Sequence, residues 1–363
     1  MLLKRLRYRS YRNLECVEIN PAPGFNIFWG KNGQGKTNLL EGIYLLGHLK
    51  SFRVSQTENL IQHEKDQACI ESELQNDKVV HSIELRLQQQ GKEIRLDGKR
   101  PQRISDTAVY LRQVLFSPEE VATVRGAPGL RRNLIDRAIF QVKPHYLEKM
   151  QNYFRVLKHR NKLLRDQSSD QELEIWSDKL QEEGAHIRAS RNIFLAELKP
   201  YFEQSYQHLT AEKEVPQIDL RGNSSSDTAV QLEYLKTEFE RLFAQEKMRR
   251  TTLTGPHRDD PRFMINQQEL RAYGSQGQQR TFVLAFKVAL MNLLKVKTGK
   301  KALLLLDDIT SELDANRREA LFALIQETAG QVFVTTTDPD LIIIRKNDDR
   351  QFYEVKNGQV YAS

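Results

Sequence analysis

The chain has 363 residues, 39% hydrophobic and 28% charged, a balance that builds a packed core in one large domain or two smaller ones. Its 55 Lys+Arg against 48 Asp+Glu leave a formal charge of +7, compatible with a polyanionic partner without singling one out. Two cysteines in unrelated contexts, Cys16 and Cys69, indicate neither a disulfide framework nor a zinc site. Met1-Leu2-Leu3-Lys4-Arg5 has no apolar signal core, and no uncharged run approaches the ~18 residues of a membrane span, so the expectation is a soluble protein of a reducing compartment.

Residues 1–29 alternate as strands do: Leu2 and Leu6, then Val17 and Ile19, then Phe25-Asn26-Ile27-Phe28-Trp29 after a turn at Pro21, Pro23 and Gly24. Beyond residues 30–37 the period becomes helical, through Leu39, Leu40, Ile43, Leu46 and Leu49. Strand patterns return over 69–74, 79–87 and 93–96, the last two joined at Gln88-Gln89-Gln90-Gly91. From about 118 to 250, Tyr146, Met150, Tyr153, Leu157, Trp176, Leu180, Ile187, Phe194 and Leu198 recur at three- and four-residue spacing, which predicts amphipathic helices. Breaks at Gln167-Ser168-Ser169-Asp170, at Pro200 and over 222–226 divide them into a bundle or a short antiparallel arm. Sustained heptads are absent, which argues against a long coiled coil. After Gly255 strands and helices alternate, with buried strands expected at 302–306 and 332–335.

Gly30-Lys31-Asn32-Gly33-Gln34-Gly35-Lys36-Thr37 matches G-x-x-x-x-G-K-[ST] in full, with an apolar strand before it and an amphipathic helix after it. The glycines permit a tight loop whose N–H groups point at phosphate oxygens, backed by the helix N-terminus. Lys36 then neutralises the β- and γ-phosphates, and the Thr37 hydroxyl ligates Mg²⁺. A second element, Ala302-Leu303-Leu304-Leu305-Leu306-Asp307-Asp308, reads as a buried parallel strand delivering two acids at its carboxyl end. Asp307 is placed to hold the Mg²⁺ hydration shell, and Asp308 to orient or deprotonate the attacking water. Thr37 and Asp307 lie 307 − 37 = 270 positions apart, too far for a compact core of this kind. A large insertion must therefore separate two halves of one nucleotide-binding sheet. The expected layout is an α/β head from residues 1–117 and 251–363, with a mainly helical insertion over 118–250.

Upstream of the acidic strand, Ser275-Gln276-Gly277-Gln278-Gln279 follows Tyr273-Gly274 and opens a helical stretch. Taken alone it is a polar loop with Ser275 as a helix N-cap. It resembles the signature of ABC ATPases, commonly LSGGQ, and the following Ser311-Glu312-Leu313-Asp314 resembles their D-loop. With Tyr11-Arg12-Asn13-Leu14, Asn38-Leu39-Leu40-Glu41-Gly42-Ile43-Tyr44, Ser51-Phe52-Arg53, Phe116-Ser117-Pro118-Glu119, Arg131-Arg132-Asn133-Leu134-Ile135-Asp136 and Gly255-Pro256-His257-Arg258-Asp259-Asp260, nearly the whole chain resembles the SMC-like ABC ATPases. The short insertion resembles the recombination mediators of that family more than its long-armed members.

The resemblance implies an ABC-type P-loop head (Lobe I) formed by both chain ends and an inserted helical Lobe II, in a cytoplasmic bacterial protein. It implies ATP and Mg²⁺ as cofactors and an ATP-induced homodimer enclosing two nucleotides. Ser275, Gly277 and Gln278 of one subunit would face the γ-phosphate held by the other, and Asp314 would reach across. It further implies binding to double-stranded DNA near gaps, action with RecO and RecR to load RecA in replication, repair and the SOS response, and slow, DNA-stimulated hydrolysis that releases the dimer.

Some residues depart from that pattern. Thr335-Thr336-Thr337-Asp338 stands where many ABC ATPases have a switch histidine, and Asp308 where Glu is usual; both favour slow turnover. Gln113 and Glu119 are equal candidates for the Q-loop position. Arg53 is placed for a phosphate or ribose contact, and His257 and Arg258 for either the nucleotide interface or a structural turn. Lys4, Arg5, Arg7, Arg9 and Arg12, with Arg131, Arg132, Lys158, Arg160, Lys162 and Arg165, are the candidate phosphate contacts of a DNA surface. A transporter subunit would show a shorter gap between the two phosphate motifs and a switch histidine; a chromosome-organising or nuclease-associated head would show a long heptad arm or a zinc-hook CxxC. An ATP-gated DNA clamp without turnover stays compatible with the motifs.

Overall fold

The computed structural model describes residues 1–210, 214–309, 313–344 and 349–363, so Ser311 and Glu312 of the D-loop motif lie outside the described residues. Contacts divide the chain into one unit of residues 1–121, 204–213 and 280–363 and another of residues 122–203 and 214–279. Ser275–Gln279 therefore groups with the helices of the second unit.

The first unit is built on two sheets. In the six-stranded sheet the strands run in the order Gln359–Ala362, Arg350–Lys356, Phe25–Trp29, Val332–Thr336, Leu303–Leu306, Gln113–Phe116. All neighbours are parallel except the terminal hairpin. The central strands are rich in apolar or β-branched residues because both faces are covered: every residue of the all-leucine Leu303–Leu306 and of Val332–Thr336 is buried. Register then fixes the site. Leu306 pairs with both Phe116 and Val334, and Thr336 pairs with Trp29, so the segments after four strands leave from one sheet edge.

The other sheet is antiparallel, in the order Leu14–Ile19, Leu2–Tyr11, Gln67–Asn76, Val79–Gln88, Gly91–Leu96. Leu3, Leu6, Tyr8 and Tyr11 point inward, the strand's alternation being shifted by one residue at the irregularity between Leu3 and Arg5 and at Ser10, whose φ is 49°. The helix Lys36–His48 shares their core: residues 39–47 are buried, and the Tyr8 hydroxyl donates to the Leu39 carbonyl at 2.8 Å. Gly42 is required there, since a Cβ would lie 2.3 Å from the Tyr8 ring. On the outward face Arg5 meets Glu18 at 2.8 Å and Glu73 at 3.2 Å, Arg7 meets Glu18 at 2.6 Å, and Arg9 meets Glu71 at 3.4 Å. Cross-strand carboxylates thus pair with Arg5, Arg7 and Arg9 of the N-terminal basic cluster on this exposed face.

The second unit holds helices Pro128–Val142, Tyr146–Asp166 and Thr228–Arg249, most of Asp170–Thr210, and a three-stranded sheet of Pro216–Leu220, Pro261–Ile265 and Gln268–Glu269. The strand Pro216–Leu220 interrupts the insertion expected to be mainly helical. Pro200 does not break its helix, which continues for 41 residues. Burial of Phe194, Leu198, Phe202 and Tyr206 along one face offsets the hydrogen bond a mid-helix proline removes.

Buried ion pairs organise this unit. Arg160 and Glu246, both fully buried, pair at 2.6 Å; Arg160 also donates to Ser177 and Thr252 at 2.8 Å. Arg191 bridges Asp136 at 2.9 Å and Asp259 at 2.8 Å, Arg188 reaches Asp259 at 3.0 Å, and Arg131 pairs with Asp260. Arg131 and Arg160 are therefore interior cations and not phosphate contacts, which corrects their place in the candidate DNA surface. The motif Gly255–Asp260 supplies two of the carboxylates of this network, Asp259 and Asp260, and the Pro256 carbonyl that accepts from Arg191 at 2.9 Å. His257 takes the structural-turn role: its Nδ1 accepts the Tyr153 hydroxyl at 2.6 Å. Burial, with nearby Arg258, Arg132 and Arg160, pushes its pKa down to about 4. No helix among the described residues is long and apolar enough to cross a membrane.

A folded-state His257 pKa below the unfolded ~6.5 means that the unfolded chain binds the extra proton between those values, so stability is lost as pH falls from about 6.5 to about 4. Thermal unfolding across that window should show a loss on the order of 2–3 kcal/mol that His257→Gln lacks. Identical pH slopes in both proteins would remove His257 as the cause.

Candidate nucleotide-binding site

The loop between the strand Phe25–Trp29 and the helix Lys36–His48 turns through positive φ at Gly30 (146°), Gly33 (79°) and Gly35 (112°). At Gly30 a Cβ would lie 2.4 Å from the Val355 carbonyl oxygen, and at Gly35 it would lie 2.8 Å from the Asn13 amide. The loop is braced from outside. Asn13 donates to the Gln34 carbonyl at 3.1 Å, Asn38 to Asn13 at 2.8 Å, and Arg53 to Asn38 at 3.0 Å. Backbone N–H groups of Asn357 and Gly358 hold Gln34 at 2.7 and 3.0 Å.

A pocket of about 260 Å³ opens on this loop, lined by Asn32, Gly33, Gly35, Lys36, Thr37, Asn38, Arg53, Asp308 and Thr335. Lys36 is 7% exposed and donates to the carbonyls of Gly30 at 2.6 Å and Lys31 at 2.9 Å. Burial lowers its pKa, opposed by the charges of Asp308 and Asp307. A buried ammonium satisfied only by neutral carbonyls is well matched to an anionic ligand.

Asp307, 4% exposed, accepts from the Thr37 hydroxyl at 2.9 Å and the Thr335 hydroxyl at 2.7 Å. Burial raises its pKa, while those two hydrogen bonds and the more distant Arg53 charge lower it. The Thr335 hydroxyl also accepts the Asp308 N–H at 2.9 Å, so one side chain joins both acids. Asp308 sits at φ 46°, a left-handed conformation that Asp tolerates better than most residues. Thr37 and Asp307 form a pair of hard oxygen donors that fits Mg²⁺.

Of the candidates, Gly30–Thr37, Arg53, Asp307 and Asp308 converge on one place. Gln113 does not: it is buried and donates to the Tyr44 carbonyl at 2.7 Å. Glu119, exposed at the start of the helix Pro118–Arg125, is close enough for its charge to raise the Asp307 pKa. Ser275 and Gln278 form a reciprocal cap, Ser275 N–H to Gln278 Oε1 at 3.0 Å and Gln278 N–H to Ser275 Oγ at 3.1 Å, at the exposed start of the helix Gln276–Thr298.

Two contributions were not assigned from sequence. Thr335 is a bridge between the acids, a role that only its strand register reveals. Glu41 is fully buried and accepts from Arg12 at 2.9 Å, from Tyr11 at 2.9 Å and from Ser51. Burial alone would raise its pKa, yet the hydrogen bonds from Arg12, Ser51 and Tyr11 hold it below the ordinary value. Ser51 Oγ in turn accepts the N–H groups of Arg53 and Val54 at 2.9 Å, which sets Arg53 beside the pocket. A carboxylate between Leu40 and Ile43 in an apolar helix was the available signal.

The sequence profile of the family described as "RecF/RecN/SMC N terminal domain" matches residues 2–359. The chain is 38% identical to the "DNA replication and repair protein RecF" of Geotalea uraniireducens (strain Rf4) across 99% of this chain and 100% of that protein. It is 40% identical to the protein of the same description from Syntrophotalea carbinolica across 93% of each. The solved structure of "the recombination mediator protein RecF-ATPrS in RecFOR pathway" superposes with a TM-score of 0.90 at 29% identity, covering 99% of this chain and 98% of that one. An SMC head bound to a domain of ScpA shares the fold alone, with a TM-score of 0.59 at 16% identity, covering 100% of this chain and 97% of that one. The chain belongs to the RecF family of DNA replication and repair proteins, with the ABC-type ATPase head of the RecF/RecN/SMC group.

Proposed function

We propose that this chain is an ATP-operated recombination mediator that binds double-stranded DNA as a head-to-tail dimer and acts with RecO and RecR to load RecA at gaps. The observation that carries the proposal is the convergence of Lys36, Thr37, Asp308 and Thr335 on one pocket, with Asp307 bonded to both Thr37 and Thr335, from segments up to 335 − 36 = 299 positions apart. The likeness to a relative solved with ATP supports nucleotide as the ligand.

In this reading the N–H groups of Gly30, Lys31, Asn32, Gly33, Gln34 and Gly35 cradle the phosphates, and Lys36 exchanges loop carbonyls for phosphate oxygens. Thr37 and Asp307 hold Mg²⁺, which supplies charge neutralisation at the phosphates. Asp308 orients the attacking water and takes its proton, and Thr335 fixes its backbone relative to Asp307. Ser275, Gly277 and Gln278 cap the γ-phosphate of a second copy: their helix is 23 residues long, begins exposed and is already capped. Asp314 stands at the N-cap of the helix Ala315–Thr328, and in this reading it contacts the second copy. For DNA, Lys158, Lys162 and Arg165 form an exposed i, i+4, i+7 stripe on the helix Tyr146–Asp166. The short Asp308 and the absence of a switch histidine favour slow hydrolysis, stimulated by DNA.

Calorimetric titration with Mg-ATP should show no binding to Lys36→Ala and near-normal binding to Asp308→Asn. The latter should remain an ATP-bound dimer in sedimentation, at least tenfold slower in turnover. Binding by Lys36→Ala equal to wild type would reject the loop as the phosphate site. Ser275→Arg should bind ATP as a monomer with unchanged affinity and fail to dimerise; loss of ATP binding by this variant would contradict its assignment to the partner's site.

A further inference from the structure

The second unit carries a groove that the nucleotide site does not use. It lies between the helices Asp170–Thr210 and Thr228–Arg249, encloses about 560 Å³, and is lined by Asp170, Glu174, Ser177, Asp178 and Gln181 from the first and Lys236, Phe239, Glu240 and Phe243 from the second. Their spacings of three and four put each set on one helix face. Ser177, Gln181 and Phe239 form a buried floor, while the carboxylates stand exposed on the rim.

Three features of the groove select a cation. With Asp170 paired to Lys247, three further carboxylates, Glu174, Asp178 and Glu240, share the lining with one ammonium, Lys236. Glu174, Asp178 and Glu240 make no ion pair among the described residues, although ion pairs are plentiful elsewhere on the same helices. Gln181 is only 5% exposed, yet its Oε1 accepts no hydrogen bond, so the floor offers a buried acceptor that lacks a donor. At one end the recognition mode is already displayed: the Lys247 ammonium pairs with Asp170 at 2.6 Å while lying 5.5 Å above the Phe243 ring. Duplex DNA is excluded by the sign of the charge.

We infer that this groove docks a basic amphipathic helix of a partner protein, with arginine or lysine heads on Glu174, Asp178 and Glu240, one N–H on Gln181 Oε1, and apolar side chains on Phe239 and Phe243. The lining from Asp170 to Gln181 spans 11 helical steps, roughly 16 Å, which matches about three turns of a partner helix. Aromatic faces between carboxylates suit long cationic side chains, whose stems pack while their heads pair.

The test is fluorescence anisotropy with the full-length chain and a fluorescein-labelled alanine-rich helical peptide bearing leucines on one side and arginines at i, i+4 and i+7, against a twin with glutamine for arginine. The arginine peptide should bind, and Glu174→Gln/Asp178→Asn should weaken it at least about tenfold, consistent with losing charge-assisted hydrogen bonds. Gln181→Leu should weaken it severalfold, with far-UV circular dichroism confirming the fold. A control, Glu15→Gln/Glu172→Gln, removes the same charge from exposed positions outside the groove and should bind as wild type. Equal binding by wild type and Glu174→Gln/Asp178→Asn, equal weakening by the control, or self-association of the unmodified chain that disappears in Glu174→Gln/Asp178→Asn would each overturn the proposal, the last in favour of a contact between two copies.

Discussion

A single buried carboxylate organises the first unit. Asp307 is withdrawn from water at the end of an all-leucine strand, where an unpaired charge is costly. It is tolerated because the hydroxyls of Thr37 and Thr335 both donate to it. Each donor arrives from a different strand end of the parallel sheet, so the carboxylate can be satisfied only if residues near both termini of the chain pack together in register. Fold and site are thereby the same constraint: the parallel order that buries Leu303–Leu306 also brings the phosphate loop against the acids.

The second unit meets a similar constraint with ion pairs. Arg131, Arg160, Arg188 and Arg191 are nearly withdrawn from water, and their partners Asp260, Glu246, Asp259 and Asp136 come from distant turns and helices. Removing one partner strands the other as a buried charge, so such a network fixes geometry more firmly than it adds stability. It holds the segment Gly255–Asp260, which shares a unit with the capped loop at Ser275.

What was legible from residue order follows from locality. The phosphate loop is contiguous, and an apolar strand ending in Asp307-Asp308 announces its own burial. The 270-residue gap between Thr37 and Asp307 implied an insertion by arithmetic alone. What escaped depended on partners far away in the chain. Arg131 and Arg160 look like any other basic helix residues until Asp260 and Glu246 are placed beside them, and Arg5 and Arg7 until Glu18 faces them across a strand pair. Pro200 looked like a helix end because proline chemistry is local, whereas the packing that carries the helix past it is not. Thr335 stood out only as one of three threonines at the switch-histidine position; its bridge between Asp307 and Asp308 depends on strand register, which residue order does not show.

The central claim is that the pocket on Lys36 and the capped loop at Ser275 are two halves of one site contributed by different copies. Mixing Lys36→Ala chains with Ser275→Arg chains tests it most directly. Each variant alone lacks a required half, but a mixed dimer pairs the intact phosphate loop of one chain with the intact Ser275 loop of the other. The account predicts that DNA-stimulated ATP hydrolysis, absent from either variant alone, returns in the equimolar mixture. A mixture as inactive as its components would contradict a head-to-tail composite site.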